Sequence, residues 1–312
     1  MPRFGIYLPN VGWDTLPSPA ELGDYAVAAE QLGFDSVWVE DRFLHPRLGI
    51  LEALTTLAFV ASRTERIRLG TSILLINLRN PLLLAKTLST LDYLSGGRVV
   101  VGASLGGSPE EYQLAGVHMK TRVTRFVETI KAMRSLWGQG PLDTESRFFQ
   151  PTDLPMDPSP VQRRIPVWIG GKVEPVFNRV ATLGDGWLAS STTGAEDFAR
   201  GWTKIQEHAV TAGRDLQVLM PAKFSYIHIE DSTEKALAVL TERLPKYYAF
   251  PYDVARFTLY GPPARCVEQA QRLLDAGVQT LIFSTVMHDR TQLERLAQEV
   301  LPQLGRLSTR SR

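Results

Sequence analysis

Short apolar runs alternate with longer amphipathic stretches from one end of the chain to the other. The runs Arg3–Leu8, Ser36–Val39, Ile67–Leu75, Val99–Ala103, Pro166–Ile169, Trp187–Ser190, a segment within Val218–Ile229, and Thr280–Ser284 have the length and apolar character of buried strands. Between them apolar residues return at helical spacing. Leu22, Tyr25, Ala26, Ala29 and Leu32 form one stripe, and Leu84, Leu88, Leu91 and Leu94 another. Val123, Phe126, Val127, Ile130 and Met133 form a third. Ser18-Pro19-Ala20-Glu21 is a capping box with proline at the first helical position, and Gly33 ends that helix. The pattern predicts further helices over about Ile50–Ser62, up to Gly184, over about Ala195–Ala212, either side of Pro251–Pro263, and over about Arg290–Leu304. Gly138 to Ile165 is proline-rich and without period, so it reads as a surface excursion between the fourth and fifth strands.

Eight strands, each followed by helix, close most simply into a TIM (β/α)8 barrel, and 312 residues leave room for the excursion. An open doubly wound sheet is the alternative, with eight strands to arrange. One barrel domain over residues 1–306 and a frayed polar tail over 307–312 are expected. Hydrophobic residues are 44% of the chain and charged residues 21%, which suits a buried core. With 34 basic and 33 acidic residues the net charge is +1, and neither nucleic acid nor an anionic membrane is indicated as a partner. The single cysteine, Cys266, rules out an intrachain disulfide and suits a cytoplasmic protein with a small core thiol. No apolar run reaches the roughly 20 residues of a membrane helix.

Candidate chemistry gathers where strands end. Gly102-Ala103-Ser104-Leu105-Gly106 fits the serine-hydrolase elbow G-x-S-x-G, with His288 and Asp275 in hydrolase order. Against this, Gly106-Gly107-Ser108-Pro109 reads as loop, cap and first helical residue, and no oxyanion segment lies upstream. After the fifth strand Gly170-Gly171 precedes a helix opening at Glu174-Pro175, an arrangement that lets backbone N–H groups meet an anion. His45 and His288 sit at strand ends but read as structural or exposed, and no spacing makes a metal site. Trp13, Trp38 and Phe43 are either an apolar wall of a site or core.

The joint order of several pieces resembles the bacterial luciferase-like family of flavin- and coenzyme F420-dependent oxidoreductases, over nearly the whole chain. The pieces are Leu32–Val39 into Glu40-Asp41; Gly70-Thr71-Ser72 with Arg79-Asn80-Pro81; Leu91-Asp92 through Ser95-Gly96-Gly97-Arg98; Val101-Gly102 to Glu111-Tyr112 and Gly116; Pro158-x-Pro-x-Gln162; Pro166 to Gly171; and Gly184-Asp185-Gly186-Trp187. The resemblance implies a TIM-like barrel, often dimeric, with the coenzyme ring at the strand C-termini. It implies coenzyme contacts from Ser72, Ile73, Leu105, Gly106, Gly107, Glu111, Ile169, Gly170, Gly171, Lys172 and Val173. A non-proline cis peptide at Ser72-Ile73 stands beside ordinary strand as the alternative there.

Some F420-dependent relatives carry Asp-His where this chain has Asp41-Arg42, and that pair is the catalytic candidate. Arginine stays protonated, so Arg42 cannot serve as a base; it either binds an anion or pairs with Asp41 to shape the loop. Sugar-phosphate dehydrogenase relatives place a catalytic glutamate near Gly107, and its absence argues against that activity. Glu111 reads as a first-turn acid as readily as a ligand contact. The implied activity is hydride transfer between reduced F420 and a small organic substrate, with FMN-dependent monooxygenation as the alternative. A serine hydrolase and a flavin-binding protein without turnover are the rivals from other classes.

Overall fold

A computed structural model of the chain describes residues 1–141, 145–150, 156–248, 250–287 and 289–304. Eight parallel strands form its centre: β1 Arg3–Tyr7, β2 Ser36–Val39, β3 Arg68–Leu74, β4 Val99–Ala103, β5 Val167–Gly170, β6 Gly186–Ala189, β7 Met220–Ile229 and β8 Thr280–Thr285. Each pairs with the next, and β8 returns to β1 with Arg3 opposite Thr280, so the sheet closes. The helices pack outside, and the main core lies between them and the strands.

Side chains fill the barrel lumen. Tyr7, Trp38, Val100, Trp168, Leu188, Ala222 and Ile282 pack there, with the rings of Trp38 and Trp168 5.3 Å apart. Trp38 is held by an Nε1–H bond of 2.8 Å to Ser36 Oγ, so Ser36 and Trp38 share the inward face of β2. Gly70 on β3 makes room for that indole: a Cβ there would lie 2.3 Å from Trp38 Cε3.

Polar staples hold the end where strands begin. Arg98 donates to the carbonyls of Ala61, Thr64, Ile67 and Ser95 and to Thr64 Oγ1. Asp92 accepts from the backbone and side chain of Gln162 at 3.0 and 2.7 Å. Asp185 accepts from Val167 N and pairs with Arg134 and Arg164.

Several boundaries differ from the sequence pattern. β5 and β6 each move by one residue, so Gly170 lies within the sheet opposite Leu188. Gly186 opens β6 because any Cβ there would meet the Trp168 ring at 2.7 Å. Gly49–Ile50 is not helical but pairs antiparallel with Val11–Gly12, and the helix starts at Ala53 under a Glu52 cap. Leu216–Val218 is a 3₁₀ turn, so β7 starts at Met220. Leu259–Gly261 adds a short strand to the upper part of β7, beyond the reach of β6, and Val254–Phe257 is a turn of helix before it. The last helix is α only to Arg295, then widens to a π turn and tightens to 3₁₀. The expected tail, 307–312, and parts of the excursion lie outside the described residues.

Candidate active site at the barrel mouth

Three strand ends converge on Ile73. The Ser72–Ile73 peptide bond is cis, and the ladder between β3 and β4 shifts register between Thr71 and Leu74. A Cβ on Gly106 would sit 3.2 Å from Ile73 Cδ1, and one on Gly170 would sit 3.4 Å from Ile73 Cγ2 and 3.1 Å from Ser104 Cβ. The predicted positions Ser72–Ile73, Leu105–Gly107 and Ile169–Gly170 are therefore brought together. Ser72, Ile73, Leu105, Gly106, Gly107 and Gly171 keep partial exposure, so the mouth is not sealed over them, whereas Ile169 is buried. Gly171 has φ +135°, a conformation that favours glycine. Beyond it the helix Glu174–Leu183 begins at Val173 with no side-chain cap. Lys172 reaches the loop after β6, its Nζ 3.1 Å from Thr192 Oγ1.

The loop after β2 is pinned from two sides. Asp41 is 2% exposed and accepts from Arg79 Nη1 at 2.6 Å, Arg79 Nη2 at 3.0 Å and Leu75 N at 2.8 Å. Arg79 also pairs with Glu52 at 2.9 Å and lies over the Phe43 ring. Arg42 pairs with Glu111 at 3.4 Å. Glu111, also 2% exposed, accepts from Phe43 N at 2.8 Å, Leu44 N at 3.1 Å and Ser108 N at 2.7 Å. It completes a capping box with Ser108, so its carboxylate joins the loops after β2 and β4. Asp41 and Arg42 thus come to the mouth but bind different partners, not each other.

Glu40 continues the inward face of β2 after Ser36 and Trp38. Asn10 clamps its backbone, donating to Glu40 O at 2.8 Å and accepting from Glu40 N at 3.1 Å. Burial pushes the Glu40 carboxyl up to about 8, with Arg42 pulling it down and Asp41 raising it. Glu40 in turn raises the phenols of Tyr7, Tyr226 and Tyr248, for which burial is the main cause. Tyr7 donates to the Ser72 carbonyl, and Tyr248 bridges Tyr226 to Ser191. None of Asn10, Glu40, Tyr7, Tyr226 or Tyr248 was among the expected site residues. Strand parity is the signal that finds Glu40. On the outer face of β7, Lys223 is 2% exposed and donates to Phe224 O at 2.9 Å and to the carbonyls of Ser190 and Ser191. Burial lowers its amine to about 7.

The description "luciferase-like monooxygenase" fits residues 1–280 of this chain as a family model. The chain belongs to that family. An F420-dependent glucose-6-phosphate dehydrogenase of Amycolatopsis mediterranei is 30% identical, over 93% of this chain and 96% of its own length. Among solved structures, an F420-dependent secondary alcohol dehydrogenase in complex with an F420–acetone adduct superposes with TM-score 0.82 at 20% identity, covering 97% of this chain and 99% of that one. The oxygenating constituent of 3,6-diketocamphane monooxygenase from Pseudomonas putida, in complex with FMN, gives 0.77 at 19%, with 97% and 99% covered. Both are luciferase-like barrels, and the expected fold class holds.

Within this luciferase-like barrel the hydrolase constellation is not assembled. The helix after β4 starts at Pro109 under a Ser108 cap, not directly after Ser104. Asp275 lines a cavity with Met1, Pro2 and Phe4 at the end where strands begin, opposite Ser104. His288 lies outside the described residues. Of the three aromatics, Trp38 is fully buried in the lumen and Trp13 is 8% exposed, so only Phe43 offers a face to solvent. His45 is structural: Nδ1 accepts from Leu48 N at 3.1 Å, Nε2 meets Tyr247 O, and burial with Arg42 and Arg47 lowers its basicity. Cys266 is buried among core residues, and burial pushes its thiol up to about 12. Among the described residues no group of three or more His, Cys, Asp or Glu side chains is placed to hold a metal ion, and no helix is long and apolar enough to cross a membrane.

Proposed function

We propose that the barrel mouth binds coenzyme F420 and serves hydride transfer between the reduced coenzyme and a small organic carbonyl or alcohol. The supporting observation is the convergence of Gly106 and Gly170 on Ile73, with Ser104 against Gly170, beside a helix that opens without a side-chain cap. Those residues fit a phosphorylated ring compound. Ile73 and Leu105 would lie against the ring, and the missing side chains of Gly106, Gly107 and Gly170 let the strand ends beneath it pack closely on Ile73, Leu75 and Tyr112. The backbone N–H groups around Gly171 and Val173, with Lys172, take the phosphate. Bound F420 supplies the hydride. The chain orients the two partners and excludes water between them. Asp41 and Arg42 act as positioning residues, since Arg79 and Leu75 bind the Asp41 carboxylate and Glu111 pairs with the Arg42 guanidinium. The resemblance places a glutamate near Gly107 in sugar-phosphate dehydrogenases, and its absence from this chain argues against a sugar phosphate as substrate.

F420 is favoured over FMN because the 30%-identical relative is an F420-dependent enzyme by name. Titrating the protein with each coenzyme, followed by coenzyme fluorescence, tests the reading. F420 should bind more tightly than FMN. If neither binds with a dissociation constant below about 1 mM, equivalent to about −4 kcal/mol, the reading fails. Protein-dependent transfer of an oxygen atom from O2 to a substrate in the presence of reduced FMN would instead assign a monooxygenase.

A further inference from the structure

The carboxylates around the mouth are spoken for, with one exception. Asp41 serves Arg79 and Leu75 N; Glu111 serves Arg42 and three backbone N–H groups; Glu52 serves Thr55 N and Arg79. His45 is committed at both ring nitrogens. The Glu40 carboxyl makes no hydrogen bond or ion pair with any described residue, although its backbone is fixed at two points by Asn10. Half-buried, it follows Trp38 on the inward face of β2 and looks across the mouth. Tyr7 faces it from β1, Tyr226 from β7 and Tyr248 from the segment after helix Thr233–Tyr247, with Asp41 and Arg42 beside it on its own loop. Tyr7 in turn holds the Ser72 carbonyl of the segment on which the coenzyme ring is proposed to lie.

We propose that Glu40 is the proton-exchanging catalytic residue of this mouth, acting on a carbonyl or alcohol substrate. This rests on the function proposed above. As hydride reaches the carbonyl carbon, the C=O π bond breaks and a C–H bond forms. The Glu40 carboxylic acid gives its proton to the oxygen, which becomes the hydroxyl, and is left as carboxylate. The substrate gains two electrons, which the reduced F420 loses. In the reverse direction the Glu40 carboxylate takes the hydroxyl proton. A rigid backbone and an unengaged carboxyl are what such a role needs, because a carboxyl already bonded to arginine would hold its proton poorly. The raised position of this group, about 8, keeps it protonated near neutral pH. Neither Asp41 nor Arg42 can do this work: the first is locked to a guanidinium and the second does not release its proton.

The test uses wild type and Glu40→Gln. The first readout needs neither coenzyme nor substrate. A carboxyl raised in the folded state adds stability below its unfolded value of 4.5, and that contribution is lost as pH rises towards about 8. Denaturant unfolding should show Glu40→Gln gaining on wild type across that window and holding level above it. Parallel profiles for the two proteins would overturn the proposal. The second readout is oxidation of reduced F420 by a panel of aliphatic and cyclic ketones. Glu40→Gln should bind F420 with wild-type affinity yet turn over about a hundredfold more slowly or worse, and the wild-type rate should fall above about pH 8. Equal turnover with unchanged pH dependence overturns the role of Glu40 and leaves the coenzyme reading intact. F420 binding without reduction of any ketone overturns the carbonyl assignment. Failure of wild type to bind F420 overturns the function itself.

Discussion

Removing the Glu111 carboxylate should cost far more than a surface acid is worth. In Glu111→Ala, the N–H groups of Phe43, Leu44 and Ser108 and the guanidinium of Arg42 lose one shared acceptor. A hydrogen bond to a charged group contributes about 1.5–3 kcal/mol net, and an orphaned buried donor costs a similar amount. Phe43 and Leu44 are 46% and 50% exposed, so water can replace part of what their N–H groups lose. Arg42 cannot be relieved as easily, because its Nε is already buried without a partner. The balance is a loss of about 3–5 kcal/mol. With about 2 cal/mol/K of unfolding entropy per residue, a chain of 312 residues should melt about 6 °C lower. Glu111→Gln keeps one acceptor oxygen and should lose about half as much. Urea unfolding of the three proteins measures this directly. A Glu111→Ala midpoint within about 1 kcal/mol of wild type, the range of ordinary surface changes, would refute the idea that this side chain joins the two loops. Where the loops do part, coenzyme affinity should fall along with stability.

Further outcomes follow from the same geometry. Gly70→Ala would drive a methyl to 2.3 Å from an indole locked against Trp168, so a loss above about 3 kcal/mol, or no folded protein, is expected by thermal melting; a loss under about 1 kcal/mol would show the lumen to be loose. Burial lowers the Lys223 amine to about 7, so the folded state sheds a proton that the unfolded chain keeps up to the ordinary lysine value of 10.5. Wild type should therefore gain stability over Lys223→Met between those pH values, by up to about 1.4 kcal/mol per pH unit; a pH-independent difference in urea midpoints would contradict it. Ser104→Ala should leave F420 affinity within about threefold, roughly 0.6 kcal/mol, and an active-site serine reagent should label wild type no more than the variant; stoichiometric labelling of wild type alone would restore the hydrolase.

The barrel was legible because its signal is repetition: each apolar run is answered by a helical stripe, and the strands it predicts are the ones that close. What escaped was short or collective. Leu259–Gly261 has too few residues to show a period, and its pairing is decided by the length of β7 on the far side of a helix. Ile50 looked like the start of a helix, but Gly49–Ile50 pairs with Val11–Gly12 instead. At the site, Gly170 was readable from its place between a strand and a helix, whereas Gly106 and Ile73 were named through the family resemblance, and the rim of the barrel is where all three meet. Asp41–Arg42 drew attention as a departure from the Asp-His of relatives, yet the salt links to Arg79 and Glu111 come from distant segments that no local pattern connects. Glu40, one residue earlier, was readable from alternation alone. Its neighbours Tyr226 and Tyr248 are not, since they share the mouth only after β7 and the chain beyond it have folded.

Arg98, Asp92 with Gln162, and Asp185 carry much of the family likeness, and all of them fasten the floor of the barrel. A share of the lineage signal is accordingly inscribed at the pole opposite the reaction. A descendant could exchange its substrate by rewriting part of the rim while these residues below stayed in place. Kinship detected through those residues is durable for that reason, and for the same reason it is silent about which compound is turned over.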